Sequence, residues 1–459
     1  MSRIIVFLGN ILDFVGAKDL SGRIFAKHAG AHDSDYVVHR ALSTLLLQNE
    51  LEKARALAQK SWEVSHSPRI GRDLVHIMLR KKEYNAAYSV AEEMVEHQTD
   101  NPWLRILLGD ISYFFLADEE RALDIYLQAE PVCDRALPDK NPLAIDLKRL
   151  TKIYLDRQDK DNLYRVLEKF YSLGPTNFHE EEFVLLAKER FSRGDRDGAR
   201  VVLEEGIVAC PRSKEIRKCW EFLGFEPPRE SKPSIVSSGL EGVIRIPIQT
   251  RLLVEGEDPV RTVAQYVRGH VRPDDIVTFS SCVAGLMEAR MLMEGTVRCS
   301  FTARTFSRFV SGKNIPRFGA TIPMGNPLSF QALLEEVGTP RVLLAIVAGG
   351  LGRLFRAKEW FYMVAGPQSA LIDDIMGSIP PYDYYVILGP KDPFTLSEDI
   401  AKATGAKGAA IVDANDLGIA WAVGYSKDVN PRALEEAMRD NPAGNQEQRT
   451  PIVIVRNLD

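Results

Sequence analysis

The first half of the chain repeats a helical pattern of hydrophobic and polar positions. From about residue 33 to residue 225, apolar residues recur at helical spacing, and polar turns separate one helix from the next. Small or aliphatic residues open the second helix of each pair, at Ala54, Ala87, Ala122, Leu163 and Ala199. These positions lie 33, 35, 41 and 36 residues apart. The pattern therefore predicts a run of irregular helix pairs.

A repeat of about 34 residues is typical of tetratricopeptide (TPR) arrays. Ala122, Tyr126 and Ala129 have the small–aromatic–small spacing of such repeats, and Pro131 follows them. Residues 33–225 thus resemble a TPR array, which must stack because one repeat cannot bury its own apolar faces. Two roles stay open for it. It would bind a protein or peptide partner, or it would be a packing or dimerisation scaffold for the second half.

Residues 1–32 form an N-terminal segment that begins with an apolar run. Asn10 and Asp13 interrupt this run, which is shorter than the ~20 residues that span a bilayer. We expect a helix that is buried or lies on a surface, in preference to a signal peptide or anchor. No other stretch suggests a membrane span, and we expect a cytoplasmic protein.

The composition changes after a Pro- and Ser-rich stretch at 226–240, which predicts a linker. In 241–459 short apolar runs predict strands at 243–248, 276–279, 342–347, 384–388, 409–412 and 452–455. Helical segments alternate with them, and Asp258-Pro259 predicts an N-cap followed by proline at the first helical position. The predicted fold class is multi-domain, an all-α TPR-like array followed by an α/β (α+β) domain. The strand order does not follow from the pattern.

Composition and charge exclude some classes of protein. The 459 residues are 45% hydrophobic and 26% charged, which is typical of globular domains. The net charge of −5 indicates no bulk preference for nucleic acid or for anionic membranes. Five cysteines are scattered without C-x-x-C spacing, so we expect reduced thiols and neither a disulfide framework nor a zinc site.

Acidic turns between Gly366 and Gly418 are the clearest chemical feature. They carry Asp373, Asp374, Asp383, Asp392, Asp413 and Asp416, several of them directly after predicted strands. Strand ends of open α/β sheets commonly present such groups to a metal or a phosphate. Alternatively, aspartates in proline-flanked turns bond their own backbone. The loop 441–445, with small and amide side chains, either approaches a ligand or is a plain connection.

Several motifs in the second half resemble one known family. They are Ile246-Pro247-Ile248-Gln249-Thr250-Arg251, Gly256-Glu257-Asp258, Arg272-Pro273-Asp274-Asp275-Ile276-Val277, and the segments 280–290, 337–341 and 440–452. Together with the acidic turns, this pattern is similar to a divergent branch of the coenzyme F420-0:gamma-glutamyl ligases. The resemblance covers 241–459.

The resemblance implies an acid–amino-acid ligase that adds L-glutamate to the carboxylate of an anionic acceptor. Such an enzyme uses GTP or ATP with Mg²⁺ or Mn²⁺, forms an acyl phosphate shielded from water, and is a homodimer. The metal ligands implied are Asp374, Asp413 and Asp416. The implied nucleotide or substrate contacts are Arg251, Arg290, Lys391, Asn415, Asn441, Gly444 and Asn445. No catalytic residue is assigned.

The chain departs from the family pattern at 281–290. Ser281-Cys282 stands where the ligases have a Glu-Lys pair, and Gly285 stands where they have a serine. Glu288 and Arg290 are retained. Two functions therefore stay open: a gamma-glutamyl ligase with an acceptor other than F420-0, or a non-catalytic TPR scaffold whose degenerate ligase-like domain binds a nucleotide, a metabolite or a partner protein.

Overall fold

The computed structural model describes residues 2–136, 141–174, 178–210, 213–225, 242–309, 325–354, 360–372, 379–415, 419–443 and 448–458. They divide into two compact units. The first unit combines residues 1–94 with residues 238–459, and the second comprises residues 95–237. The expected domain boundaries at residue 32 and at 226–240 stay predictions, since 226–241 lie outside the described residues.

Helices make up the described chain as far as residue 222. The first unit begins with α1 (Ser2–Phe14), α2 (Lys18–His28), α3 (Asp35–Leu47), α4 (Leu51–Ser65), α5 (Pro68–Arg80) and α6 (Tyr84–His97), the last of which continues into the second unit. The second unit contains α7 (Pro102–Asp110), α8 (Glu119–Arg135), α9 (Asn141–Asp156), α10 (Lys160–Ser172), α11 (Glu180–Ser192), α12 (Arg196–Ala209) and α13 (Lys214–Phe222). A π-helical turn at Ile111–Phe115 extends α7.

These helices form pairs of the expected period. The first helices of successive pairs, α3, α5, α7, α9 and α11, begin 33 to 39 residues apart. Within each unit, such first helices also pack against one another, as α3 does with α5 and α7 with α9. The predicted TPR-like helical array is confirmed.

A recurrent N-cap starts the second helix of three pairs. Asp118, Asp159 and Asp195 each accept a hydrogen bond from the backbone N–H three residues further on. A carboxylate in this position satisfies an otherwise unpaired helix donor and interacts favourably with the helix dipole. The polar turns of the repeat pattern therefore set the starts of α8, α10 and α12 locally.

Helices α7 and α8 pack closely in the second unit. A Cβ atom added at Gly109 on α7 would collide with the ring of Tyr126 on α8. The Tyr126 hydroxyl donates to the Asp110 carboxylate at 2.6 Å, and the Arg149 guanidinium of α9 binds the same carboxylate at 2.8 Å. Glycine and tyrosine thus fix the distance between the paired helices.

The remaining part of the first unit is a mixed α/β region. Its elements are β1 (Ile244–Ile248), α14 (Pro259–Val267), β2 (Ile276–Ser280), α15 (Ser281–Met287), β3 (Met291–Met293), α16 (Phe301–Phe306), α17 (Pro327–Val337), α18 (Thr339–Leu354), α19 (Trp360–Ala365), β4 (Tyr385–Ile387), α20 (Pro393–Thr404), β5 (Gly408–Asn415), β6 (Ile419–Tyr425), α21 (Pro431–Met438) and β7 (Ile452–Arg456).

Five strands form a mixed sheet in the order β1-β7-β2-β5-β6. Only β2 and β5 run parallel; the other neighbours are antiparallel. β7 is buried along its whole length between β1 and β2. β3 and β4 form a separate two-stranded antiparallel sheet. The α/β (α+β) character of this region is confirmed, while its kinship with the ligases stays a prediction.

The apolar run 342–347 was wrongly predicted as a strand. It lies in α18, where Val342 and Ala345 are buried while Leu344 and Val347 are exposed, a one-sided burial at helical spacing. A short apolar run cannot be assigned to strand or helix by its pattern alone, which explains the error. The sequence pattern also missed β3 and β6.

Helix α5 connects the N-terminal helices to the α/β region through buried ionic contacts. The Arg69 guanidinium binds Glu335 of α17 in a bidentate ion pair. His76 contacts the Glu255 carboxylate on one side and the Tyr385 hydroxyl, at 2.8 Å, on the other. Buried charges are tolerated only when paired in this way. The network makes residues 2–94 part of the same compact unit as the sheet.

Candidate functional site

Strand pairing brings several candidate segments to one edge of the five-stranded sheet. Ser280 at the end of β2 pairs with Val412 near the end of β5, while the last residues of β1 pair with the first of β7. The Thr250 N–H donates to the Arg449 carbonyl at 2.7 Å, and the Ser280 N–H donates to the Pro451 carbonyl at 2.9 Å. The segments that carry Arg251, Asp413 and Asn415 therefore meet at this edge.

The metal-ligand prediction is testable in the structure for only one of its residues. Asp413 lies on β5, half-buried and opposite Trp421 of β6. Asp374 and Asp416 lie outside the described residues, as do Gly444 and Asn445 and the side chain of Asn415. Within the described ranges, no group of three His, Cys, Asp or Glu side chains could hold a metal ion. The three-aspartate set stays a prediction.

Other candidates have contacts within the protein. The Arg251 guanidinium forms an ion pair with Glu257 at 2.7 Å, and its backbone N–H donates to the Tyr266 hydroxyl. Asp392 caps α20 by accepting from the Thr395 N–H at 3.0 Å, which is the local turn role considered for it. Asn441 is buried and has a left-handed backbone, with φ of 51°.

Arg290 and Lys391 lie together at a second place, beyond the end of α15. The Arg290 guanidinium donates to the Gly389 carbonyl at 2.7 Å and binds Glu336 of α17 at 2.9 Å. The Lys391 backbone N–H donates to the Glu288 carboxylate at 2.8 Å. The turn after α15 and the turn before α20 are thus joined through the two residues that the ligase pattern retains, Glu288 and Arg290.

These residues line a cavity of about 520 Å³ between the N-terminal helices and the α/β region. Helices α2 and α3, with the turn before α2, supply one side. The turn after α15, β3, α17 and the turn before α20 supply the other. The cationic lining residues are Lys18, Arg23, Arg40, Arg290 and Lys391, and the acidic ones are Asp19, Glu288, Glu335 and Glu336. The volume lies within the ~300–1,000 Å³ range of small-molecule sites.

The charged side chains around this cavity differ in burial and in their ion pairs. Burial would raise the pKa of Glu336, but the Arg290 guanidinium holds that pKa below its usual value. Burial raises the pKa of Glu288. Lys391 pairs with Asp19 at 2.5 Å, and both side chains are largely exposed. The Nε atom of Arg40 is buried and forms an ion pair with the Asp13 carboxylate at 3.4 Å.

Only part of this cavity could be predicted from the sequence. Arg290 and Lys391 were candidates through the ligase resemblance, whereas Lys18, Arg23 and Arg40 were not. The latter three lie in ordinary amphipathic helices whose pattern gives no sign of a site. Their place in the cavity arises because helices α2 and α3 pack against a region that follows some 200 residues later in the chain.

Gly285 occupies a position without space for a side chain. A Cβ atom added there would collide with the carbonyl oxygen of Leu388. The ligases have a serine at this position of the pattern. In this chain the close approach of α15 to the turn after β4 excludes any residue with a Cβ atom.

No family model matches the chain, and no curated protein matches it. The chain is similar to solved structures of helical repeat proteins. One is YrrB, described as a TPR protein with an unusual peptide-binding site, with 17% identity, a TM-score of 0.30, and coverage of 40% of this chain and 91% of that chain. Another is the MamA protein, with 14% identity, a TM-score of 0.30 and coverage of 42% and 98%.

A third is Pseudomonas aeruginosa pilF, with 13% identity, a TM-score of 0.34 and coverage of 48% and 97%. Scores this low carry no argument about function. Among the helices that the structure describes, none combines the length and the apolar character needed to cross a bilayer. By its own helix pairs, the chain contains a helical repeat array of the TPR type together with a mixed α/β region.

Proposed function

We propose that this protein binds an anionic small molecule in the cavity between α2–α3 and the α/β region. The observation that carries the proposal is that Arg290 and Lys391, which the ligase resemblance implies as nucleotide or substrate contacts, line the same cavity as Lys18, Arg23 and Arg40. Cationic groups converging on a concave site of small-molecule size are the usual means of recognising phosphate or carboxylate.

Two of the cations are suited to contact the ligand directly. The exposed pair of Lys391 and Asp19 contributes at most about 1 kcal/mol, so Lys391 can exchange Asp19 for a ligand anion. Arg23 is exposed, whereas Arg40 is paired with the buried Asp13 carboxylate at 3.4 Å. Arg290, held by Glu336 and the Gly389 carbonyl, would instead position the cavity wall.

The ligand class that fits is a nucleotide or a small acidic metabolite such as L-glutamate. The replacement of the ligase serine by Gly285, in a position that excludes side chains, favours binding without ligation. The proposed function is therefore the binding-protein alternative, with the ligase-like region acting as a receptor for the ligand.

A gamma-glutamyl ligase is the second candidate, because several predicted site segments share one edge of the sheet. In that reaction the terminal phosphoryl group of GTP or ATP would pass to the acceptor carboxylate, releasing the nucleoside diphosphate. The L-glutamate amine would then attack the acyl carbon and release phosphate. Mg²⁺ or Mn²⁺ is commonly held by one or two carboxylates and the substrate phosphates, so Asp413 fits this role only together with a bound nucleotide.

A protein or peptide partner and a homodimer also stay proposals. Helix α5, a first helix of its pair, is covered by the α/β region, since Arg69, Arg72 and His76 on it are all buried. Peptide binding of the kind known for TPR arrays would therefore use helices of the second unit. The cavity proposal does not depend on such a partner.

Thermal stability of the full chain with added ligands tests the proposal. GTP, ATP, L-glutamate and inorganic phosphate would each be tested with and without Mn²⁺, since a ligand stabilises the protein by mass action. We expect at least one of them to raise the Tm of the wild type, and Lys391→Ala to lose most of that shift. Lys402→Ala, an exposed lysine on α20 outside the cavity, is the matched control.

The outcomes separate the two candidates. The cavity proposal would be contradicted if no ligand raised the Tm of the wild type or of Lys402→Ala. It would also be contradicted if a ligand raised the Tm of Lys391→Ala and of Lys402→Ala equally. Release of phosphate that requires L-glutamate and is lost in Asp413→Asn would favour the ligase. Binding without any turnover in the presence of all substrates would favour the binding protein.

A further inference from the structure

Helix α1 is apolar on two opposite sides. Its inner side packs on α2, where Val6 is buried and Gly9 approaches the Phe25 ring. Its outer side presents Ile4, Phe7, Leu8, Ile11 and Phe14, each between 46% and 68% exposed. These residues recur at helical spacing along one face. A helix that is hydrophobic all round is normally covered on all sides.

The outer side of α1 carries no carboxylate. Its acidic residue, Asp13, is buried and accepts hydrogen bonds from Lys18 at 2.9 Å and Ser21 at 2.8 Å. The polar residue among the exposed positions of the helix that follow Ile4 is Asn10, which is uncharged. An apolar surface of this size exposed to water marks an interaction site.

Helix α2, which packs against α1, carries exposed basic side chains. The exposed positions of α2 are Asp19, Leu20, Arg23 and Lys27, and Asp19 is paired with Lys391. The hairpin of α1 and α2 thus combines an apolar face with unbalanced positive charge. This combination is typical of helices that lie in a membrane interface. The protein's net negative charge does not oppose it, since the relevant charge is that of the face.

A second exposed apolar stripe begins close to the end of α1. Gly16 and Gly338 approach so closely that a Cβ atom at Gly338 would lie 2.9 Å from the Gly16 nitrogen. Gly338 directly precedes α18, whose exposed residues include Leu343, Leu344, Val347 and Leu351. The only charged residues in the α18 sequence are Arg341 and Arg353, both basic.

We propose that the outer face of α1 docks on an anionic lipid surface, with the start of α18 beside it. The 13 residues of α1 extend ~20 Å, which is too short to span a bilayer but long enough to lie in its interface. The absence of carboxylates on the described outer face of α1, and the exposed Lys27 on α2, complement anionic headgroups. A second copy of the chain docked on this face would bring the same positive charges close to one another, and their repulsion disfavours it as the occupant.

Vesicle flotation of the full chain tests this proposal. Phosphatidylcholine vesicles with and without phosphatidylglycerol would be compared at low and high salt, because salt screens headgroup attraction. The wild type should float with the anionic vesicles and less so at high salt. The F7D/I11D variant should partition ~10-fold or more weakly, because two buried apolar side chains are lost from the interface.

The matched control is V208D/F222D. Both of its positions are exposed apolar residues of the second unit, and the change in charge is the same. Urea unfolding would establish that both variants are folded. Failure of the wild type to float, or equal loss in both variants, would overturn the proposal. If the wild type does not float but is a dimer, and the F7D/I11D variant is a monomer, the face would be assigned to a second copy of the chain.

Discussion

The Arg69 guanidinium on α5 forms two hydrogen bonds, of 2.7 and 3.2 Å, with the Glu335 carboxylate on α17, 266 residues further along the chain. Both side chains are almost fully buried. Burial would raise the pKa of Glu335, but Arg69 more than offsets this and holds that pKa below its usual value. The pair joins the N-terminal helices to the α/β region.

Replacing one member of this pair should strongly destabilise the first unit. We expect Arg69→Met to lower the free energy of unfolding by about 3–5 kcal/mol, because it leaves Glu335 buried without its counter-charge. Urea unfolding monitored by circular dichroism would measure the loss. The double variant R69M/E335L should be closer to wild type than either single variant, and a loss near zero in Arg69→Met would contradict the pairing.

The same pair predicts a pH dependence of stability. Because the pKa of Glu335 is lowered in the folded state, its contribution is fully present above the unfolded value of about 4.3. It is lost as the pH falls through the folded-state pKa. As the pH falls, the free energy of unfolding should therefore decrease more steeply for the wild type than for Glu335→Gln. Parallel decreases in the two proteins would contradict the lowered pKa of Glu335.

Replacing Gly338 and Gly350 by alanine should change the stability of the protein in opposite directions. Gly338 has φ of 91° and faces the backbone of Gly16 and Phe14, so Gly338→Ala should cost about 2 kcal/mol or more. Gly350 lies within α18 with open space around it, so Gly350→Ala should stabilise by up to about 1 kcal/mol. Thermal unfolding would rank them, and equal effects would refute the close contact.

Asp146 on α9 should make stability fall as the pH rises. It is fully buried, and neither carboxylate oxygen has a hydrogen-bond partner among the described residues. Burial, reinforced by Glu130, raises its pKa well above the ordinary value. A raised folded-state pKa means that this group's contribution is present below the unfolded pKa of about 3.9 and decreases as the pH rises towards the folded value.

Asp146→Asn removes this titration. We expect its advantage in unfolding free energy over wild type to grow by about 1.4 kcal/mol per pH unit between the two pKa values. Urea unfolding at a series of pH values measures it, with the exposed Asp124→Asn on α8 as control. A constant difference across that range would show that Asp146 ionises normally.

Gly109 should be essential to the pairing of α7 with α8. Gly109→Ala forces a methyl group into the Tyr126 ring and should cost about 1–3 kcal/mol by overpacking. The cost should shrink when Tyr126 is first replaced by leucine, which a double-mutant cycle in urea would reveal. Additive effects would mean that the two residues do not contact each other.

Local sequence accounts for much of the helical fold. The turns with Asp118, Asp159 and Asp195 begin helices because each carboxylate caps its own next turn. The spacing of Ala122, Tyr126 and Ala129 marks the buried face of α8. Short apolar runs were less informative: 452–455 is a strand, whereas 342–347 is a helix, since length and pattern do not separate the two.

The candidate site also combines residues that could be predicted from the sequence with residues that could not. Arg290 and Lys391 could be singled out in the sequence through the ligase resemblance. Their neighbours Lys18 and Arg40 could not, since nothing within α2 or α3 signals a distant partner.

The sequence by itself determined the helix pairs and most strands, because these depend on interactions between residues close in the chain. It did not place Asp413, which was expected in a turn after the strand 409–412 and lies within β5. Only the tertiary structure decided the strand order β1-β7-β2-β5-β6, the burial of α5 and the cavity beside Arg290. These features depend on pairings such as Arg69 with Glu335, which bring together segments far apart in the chain. Hydrophobic periodicity specifies which side of an element is buried but leaves open what buries it.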